Sequence, residues 1–222
     1  MRISEEKIPL RSFGRRQGRR LRTSKQNLFD SLLPKLSISL SEVQNMDVNS
    51  SLWLEIGFGG GEHLAYQAAL HPEIQFIGCE PYVNGMASLL SHIDECRLGN
   101  IRVYSDDARD LIRSLPDSSL ERVFILYPDP WPKNRHHKRR IVSKEFLDCL
   151  ARVMKNGAEL RLATDSADYA TWMLELLLSH KSFKWLAKTC DDWLNPPQEW
   201  ISTRYEQKAL AGIPTYLCFK RL

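Results

Sequence analysis

No stretch of this sequence is apolar for long enough to cross a bilayer. The longest such run, around Trp172 to Leu178, carries Glu175 and falls far short of the roughly 20 residues a spanning helix needs. No transmembrane segment is expected. Paired cysteines are also missing: Cys79, Cys96, Cys149, Cys190 and Cys218 are scattered, odd in number and without Cys-x-x-Cys spacing. That argues against a disulfide or zinc framework and for reduced thiols in a cytosolic protein. The amino-terminal stretch has no apolar core of the kind a secretory signal requires. Arg15, Arg16, Arg19, Arg20 and Arg22 could serve a mitochondrial presequence, but Glu5 and Glu6 count against it, and a cytoplasmic location is expected. His136 and His137 are adjacent with no third ligand at recognisable spacing, so no metal site is expected either.

What is present fits an ordinary globular chain. The 222 residues are 43% hydrophobic and 26% charged, enough for a single α/β core and cramped for two. Net charge is only +4, but the cations are unevenly placed. The segment from Arg11 to Lys25 contains no acid, and a second cluster comprises Lys133, Arg135, His136, His137, Lys138, Arg139 and Arg140. Such clustering points to a polyanionic partner.

Residues 1 to 50 read as an appendage: a basic arm, an apolar-periodic helix around Leu28, Phe29, Leu32 and Leu33, and a polar linker from Ser37 to Ser51. Residues 51 to 222 then alternate short strand-like runs with helix-length segments, as βαβ units do. Strands are predicted at Leu52 to Ile56, Ile74 to Cys79, Ile101 to Tyr104 and Arg122 to Tyr127. Three more are predicted at Glu159 to Ala163, Phe183 to Lys188 and Thr215 to Lys220. Helices include Glu62 to Leu70, Asn84 to Glu95, Ser143 to Lys155 and Ala167 to His180. The expected fold is a Rossmann-like, seven-stranded, mostly parallel sheet with helices on both faces. The last strand, after the irregular stretch Asp191 to Pro214, is expected to insert antiparallel. In such sheets ligands lie beyond the carboxyl ends of the strands.

The first strand runs into Glu55-Ile56-Gly57-Phe58-Gly59-Gly60-Gly61. A dinucleotide fingerprint needs a glycine where Glu62 stands, and that carboxylate would face a pyrophosphate. A nicotinamide oxidoreductase is therefore disfavoured. The ExGxGxG spacing is similar to motif I of class I methyltransferases, whose ligand carries a sulfonium and no phosphate. Glu80 ends the second strand, where a carboxylate can accept both ribose hydroxyls. Asp107, after the third strand, resembles the residue that receives an adenine amino group.

After the fourth strand comes Tyr127-Pro128-Asp129-Pro130-Trp131-Pro132-Lys133, stiffened by three prolines. With the Arg135 to Arg140 run behind it, this loop resembles that of the bacterial tRNA (guanine-N7-)-methyltransferase family. The resemblance extends to the arm Arg11 to Arg19, the glycine loop, Ala163-Thr164-Asp165 and Thr203-Arg204-Tyr205-Glu206. It implies S-adenosylmethionine at Glu55, Gly57, Gly59, Glu80, Asp107 and Asp129, with Asp129 also the active-site acid. It further implies tRNA substrate contacts at Lys133, Asp165, Thr203, Arg204, Tyr205 and Glu206, and RNA contacts from Arg135 through Arg140. Asn134 departs from the pattern, where a basic residue is expected. The implied target is the variable-loop guanine, position 46 in the tRNA convention; residue chemistry alone reaches a guanine in structured RNA.

Guanine N7 carries a lone pair and no proton, so its methylation needs alignment more than a general base. Asp165 and Glu206 are the candidates for reading guanine's Watson-Crick edge, whose hydrogens a carboxylate accepts and adenine does not offer. The alternative is a non-catalytic RNA-binding protein that keeps a methyltransferase fold, which would not bind the cofactor. Nothing in the sequence chooses between a monomer and a homodimer.

Overall fold

The computed structural model describes residues 14–207 and 212–222; Arg11, Ser12 and Phe13 of the basic arm lie outside them. Seven strands form one sheet in the order β3-β2-β1-β4-β5-β7-β6. In chain order, the amino-terminal part supplies α1 (Thr23–Ser31), α2 (Leu33–Leu36) and α3 (Leu40–Gln44). Next come β1 (Leu52–Ile56), α4 (Glu62–Leu70), β2 (Gln75–Cys79), α5 (Val83–Cys96), β3 (Ile101–Tyr104), α6 (Ala108–Ser114) and β4 (Leu120–Leu126). The rest comprises α7 (Lys144–Val153), β5 (Met154–Thr164), α8 (Ala167–Ser179), β6 (Phe183–Trp185), α9 (Asp191–Leu194), α10 (Arg204–Gln207) and β7 (Thr215–Arg221).

The pairs β1–β2, β2–β3, β1–β4 and β4–β5 are parallel, whereas β7 lies antiparallel between β5 and β6, as the irregular approach to it led one to expect. Every residue of β1 is buried, as in a sheet covered on both faces. Its alternation divides the core. Leu52, Leu54 and Ile56 pack with α6, α7 and α8, while Trp53 packs with α4 and α5 on the opposite face.

Three expectations need correction. The predicted linker, Ser37 to Ser51, contains α3, whose first turn is closed by a reciprocal cap between Ser39 and Glu42. Val43 of that helix is fully buried in the main core, with Ile38 beside it. The polar residues around them hid this docking segment. The sixth strand stops at Trp185: Leu186 makes one last bond to the Cys218 carbonyl of β7, after which the chain turns away into a hydrogen-bonded loop on Asp192. The fifth strand begins earlier, at Met154, and Gly157 within it adopts a left-handed conformation.

Strand order reverses between β1 and β4, so their carboxyl ends diverge into a crevice. The glycine loop after β1 and the Pro-Asp-Pro loop after β4 form its two lips.

Candidate active site

A cleft of about 460 Å³ opens at that crevice, walled by Gly57, Gly59, Glu80, Asp107, Asp129 and Trp131 among others. A second lobe of about 610 Å³ adjoins it and includes Glu55, Glu62 and Thr203 to Tyr205. Gly57, Gly59, Tyr82, Tyr127 and Tyr205 border both lobes. The strands therefore bring Glu55, Gly57, Gly59, Glu80, Asp107, Asp129, Thr203, Arg204 and Tyr205 to one place.

Gly57 and Gly59 sit at φ +73° and +54°, where a side chain is strained. A Cβ built on either would meet no protein atom within 4 Å. The backbone thus offers a bare cradle facing the cleft. Glu80 pins it: one carboxylate oxygen accepts from the Gly59 N–H at 2.9 Å and the other from the Tyr82 N–H at 3.0 Å. Burial pushes the Glu80 carboxyl above its ordinary range; the two N–H donors oppose this, and the charges of Asp129 and Glu55 add to it. Burial also raises Asp129; its side chain is solvent-accessible yet crowded within the concavity. Three carboxylates around one cleft produce a negative potential that a cationic ligand would relieve.

Glu55 and Asp107 are less free than the sequence implies. Glu55 is buried, with one oxygen 2.7 Å from His63 Nδ1. The far nitrogen of that imidazole has no hydrogen-bond partner among the described residues. His63 escaped sequence reading; its only signal is its place in the first turn of the helix after the glycine loop. Asp107 caps α6 through the Arg109 N–H and is clamped by the Arg109 guanidinium. Tyr127 and Trp131 also escaped notice. Both adopt positive φ, +49° and +43°, a costly state for bulky residues that concentrates at working sites.

Glu206 is already partly engaged. One oxygen accepts from Trp200 Nε1 at 3.0 Å and the other from the Tyr216 hydroxyl. It thereby braces the 200–207 segment, with one lone pair left on each oxygen. Asp165 is buried just beyond β5. The Tyr205 phenol is pushed up by burial and then by the charges of Asp165 and Asp129.

The basic run is sorted by its geometry. Asn134–Arg139 forms a 3-10 helix, whose turn of about three residues eclipses positions i and i+3. Arg135 and Lys138 point to solvent, as does Lys133 before them. His136 packs edge-on against Trp131, and the Arg139 guanidinium lies 4.8 Å from that ring's centroid. His137 and Arg140 turn inward onto Trp172 of α8. Burial, then Arg139, Arg135, Lys133 and Lys138, hold the His136 pKa below its ordinary value. Arg140, only 2% exposed, is removed from the set of RNA contacts: reaching a phosphate would require extracting it from the core.

Among the described residues, no three His, Cys, Asp or Glu side chains gather so as to hold a metal ion. No described helix is long and apolar enough to cross a membrane.

Comparison with known proteins agrees with this geometry. The family described as "Putative methyltransferase" matches residues 49–215. The tRNA (guanine-N(7)-)-methyltransferase of Caulobacter vibrioides is 48% identical over 217 residues, 96% of each chain. That of Rhodospirillum rubrum is 45% identical over 95% of this chain and 88% of its own. Among solved structures, an rRNA methylase from Streptococcus thermophilus shares the fold, with a TM-score of 0.54 at 12% identity over 82% of this chain and 92% of its own. So does a precorrin-6y C5,15-methyltransferase from Geobacter metallireducens, with a TM-score of 0.52 at 17% identity over 82% and 86%.

Proposed function

The chain belongs to the tRNA (guanine-N(7)-)-methyltransferase family, and on that premise we propose that it methylates N7 of a guanine in tRNA, at the variable-loop position 46, in the cytoplasm. S-adenosylmethionine supplies an electrophilic methyl group on a sulfonium. The observation that carries the reading is the bare Gly57–Gly59 cradle pinned by Glu80, with Asp129 facing it across the strand-order reversal.

The residues divide the work by their chemistry. Gly57 and Gly59 let the cofactor approach the backbone closely, and the Glu80 carboxylate, oriented by its two N–H donors, accepts the ribose hydroxyls. Asp107 lines the adenine end, with Arg109 limiting its free lone pairs. Glu55 borders the far lobe. Guanine N7 loses no proton on methylation, so this chain's task is to hold the base in line with the methyl carbon. Such positioning can supply about 7 to 11 kcal/mol in favourable systems. Asp129 contributes negative charge beside the purine cation that develops. Asp165 accepts hydrogens from the guanine edge, and Tyr205, which lines both lobes of the cleft, offers an aromatic face.

Reaching N7 requires the base to leave its tertiary contacts, at a cost of a few kcal/mol. Lys133, Arg135 and Lys138, exposed beside the cleft, offset this through phosphate contacts. The test is methyl transfer from labelled S-adenosylmethionine to unmodified tRNA, followed by nucleoside digestion. Label in 7-methylguanosine is expected. Label in another nucleoside would discard the base assignment. No label and no heat on mixing with the cofactor would favour the non-catalytic RNA-binding reading.

A further inference from the structure

The loop that carries Asp129 is internally stressed. Tyr127 and Trp131 hold positive φ on either side of Pro128-Asp129-Pro130, a state that persists only where surrounding contacts enforce it. The Tyr127 N–H is held by the Ala163 carbonyl at 2.7 Å, and Arg140 holds the other end of the loop. Its Nε donates to the Pro130 carbonyl at 2.9 Å, one residue past Asp129, and its Nη2 pairs with Asp168. Asp168 lies in the first turn of α8, three residues past Asp165. The guanidinium lies against the rings of Tyr169 and Trp172, at 4.8 and 5.0 Å from their centroids. The same helix fixes the chain two residues further on: the Val142 N–H donates to the Tyr169 hydroxyl, and Trp172 Nε1 donates to the Val142 carbonyl.

We propose that Arg140 is a positioning residue that sets Asp129 and Asp165 in register across the cleft, and that it takes no part in contacting tRNA phosphates. One guanidinium ties the backbone after β4 to the helix that starts after β5, so both carboxylate loops are referred to α8. The planar fork suits this: Nε and Nη2 serve different partners while the delocalised cation lies against two aromatic rings. A lysine would keep the charge but lose the fork and the stacking. This inference rests on the methyltransferase reading; 7-methylguanosine formation by the wild-type protein, run alongside, tests that reading separately.

The experiment compares Arg140→Lys and Asp168→Asn with wild type. Asp168 is largely exposed, so its amide variant folds even if the arginine variant does not. S-adenosylmethionine stoichiometry by calorimetry counts competent sites, and single-turnover methylation then gives the rate per competent site. That rate is expected to fall roughly 10- to 100-fold, the effect of a misplacement of about 1 Å. The KM for tRNA and the salt dependence of tRNA binding should stay as in wild type. A loss of competent sites with an unchanged rate per site would make Arg140 merely structural and overturn the proposal. A decrease of about 0.7 to 0.9 in the slope of log K against log salt in Arg140→Ala, which removes the charge that Arg140→Lys keeps, is the signature of one lost phosphate contact and would overturn it as well.

Discussion

Replacing Gly59 with alanine separates the fold from the cofactor cradle. The new methyl would touch no protein atom within 4 Å, but the residue sits at φ +54°, where a Cβ costs about 1 to 2 kcal/mol. For a chain of this length each kcal/mol lowers Tm by about 2 to 4 °C, so a decrease of about 2 to 8 °C is expected. The Gly59 N–H to Glu80 bond survives, because it is made by the backbone. Since the methyl projects into cleft space, it should crowd the cofactor. Overpacking by one methyl typically costs about 1 to 3 kcal/mol, which is about a 5- to 150-fold rise in Kd for S-adenosylmethionine. Thermal melting and titration calorimetry on the same sample read both quantities. Gly85→Ala provides the contrast: its Cβ would lie 2.3 Å from the Gly59 carbonyl oxygen, so folding itself should suffer. Wild-type cofactor affinity in Gly59→Ala, with the expected loss of stability, would refute the assignment of that space to the cofactor.

Other outcomes follow from the remaining contacts. The Glu80 pKa is raised by burial, so its contribution to stability is full below the ordinary carboxylate pKa and is lost as pH rises through the raised one. Ribose binding needs the ionised form, so cofactor affinity should rise over that same mildly acidic window; melts and calorimetry against pH, with Glu80→Gln as reference, check that the two trends oppose. Glu206→Leu removes the acceptor of both Trp200 Nε1 and the Tyr216 hydroxyl and should cost about 1 to 3 kcal/mol, yet leave the preference for guanosine over inosine at the target intact, whereas Asp165→Asn should erode it. Competition between the two substituted tRNAs decides, and selectivity lost in the Glu206 variant would restore that residue as a base reader. Removing Lys133, Arg135 or Lys138 should each flatten the salt slope of tRNA binding by about 0.7 to 0.9, measured by filter binding; unchanged slopes would move the RNA surface elsewhere.

The periodic elements were legible from the sequence because parallel strands buried on both faces are written as apolar runs, as in Leu52 to Ile56, and because glycine and proline mark their ends. That Gly57, Gly59, Glu80, Asp107 and Asp129 would line one cleft was legible for a related reason: each stands at or just past the carboxyl end of a strand, where open sheets of this kind place their ligand crevice. What stayed hidden depends on contacts between distant segments. Arg140 reads like its neighbours in a basic run, and only Tyr169 and Trp172, about 30 residues later, determine that it is buried. Glu206 gives no hint in the sequence of Trp200 and Tyr216, which fold onto it. Glu55 gives no hint of His63, because a strand and the following helix share no sequence periodicity. The segment from Ser37 to Ser51 looks like a tether since its two core side chains are scattered among polar ones.

That same segment bears on how the chain avoids its own kind. β3 is an outer strand of the sheet, and an uncovered outer strand invites pairing with another molecule. Here the Ile38 N–H donates to the Val103 carbonyl, Ser37 bridges to Val103, and Arg102 grips the Leu36 and Ser37 carbonyls. The chain's own amino-terminal part thus occupies the template edge. A fragment cut at residue 51 would expose that edge together with the core surface under Val43, and should sediment as aggregates instead of as a trimmed enzyme.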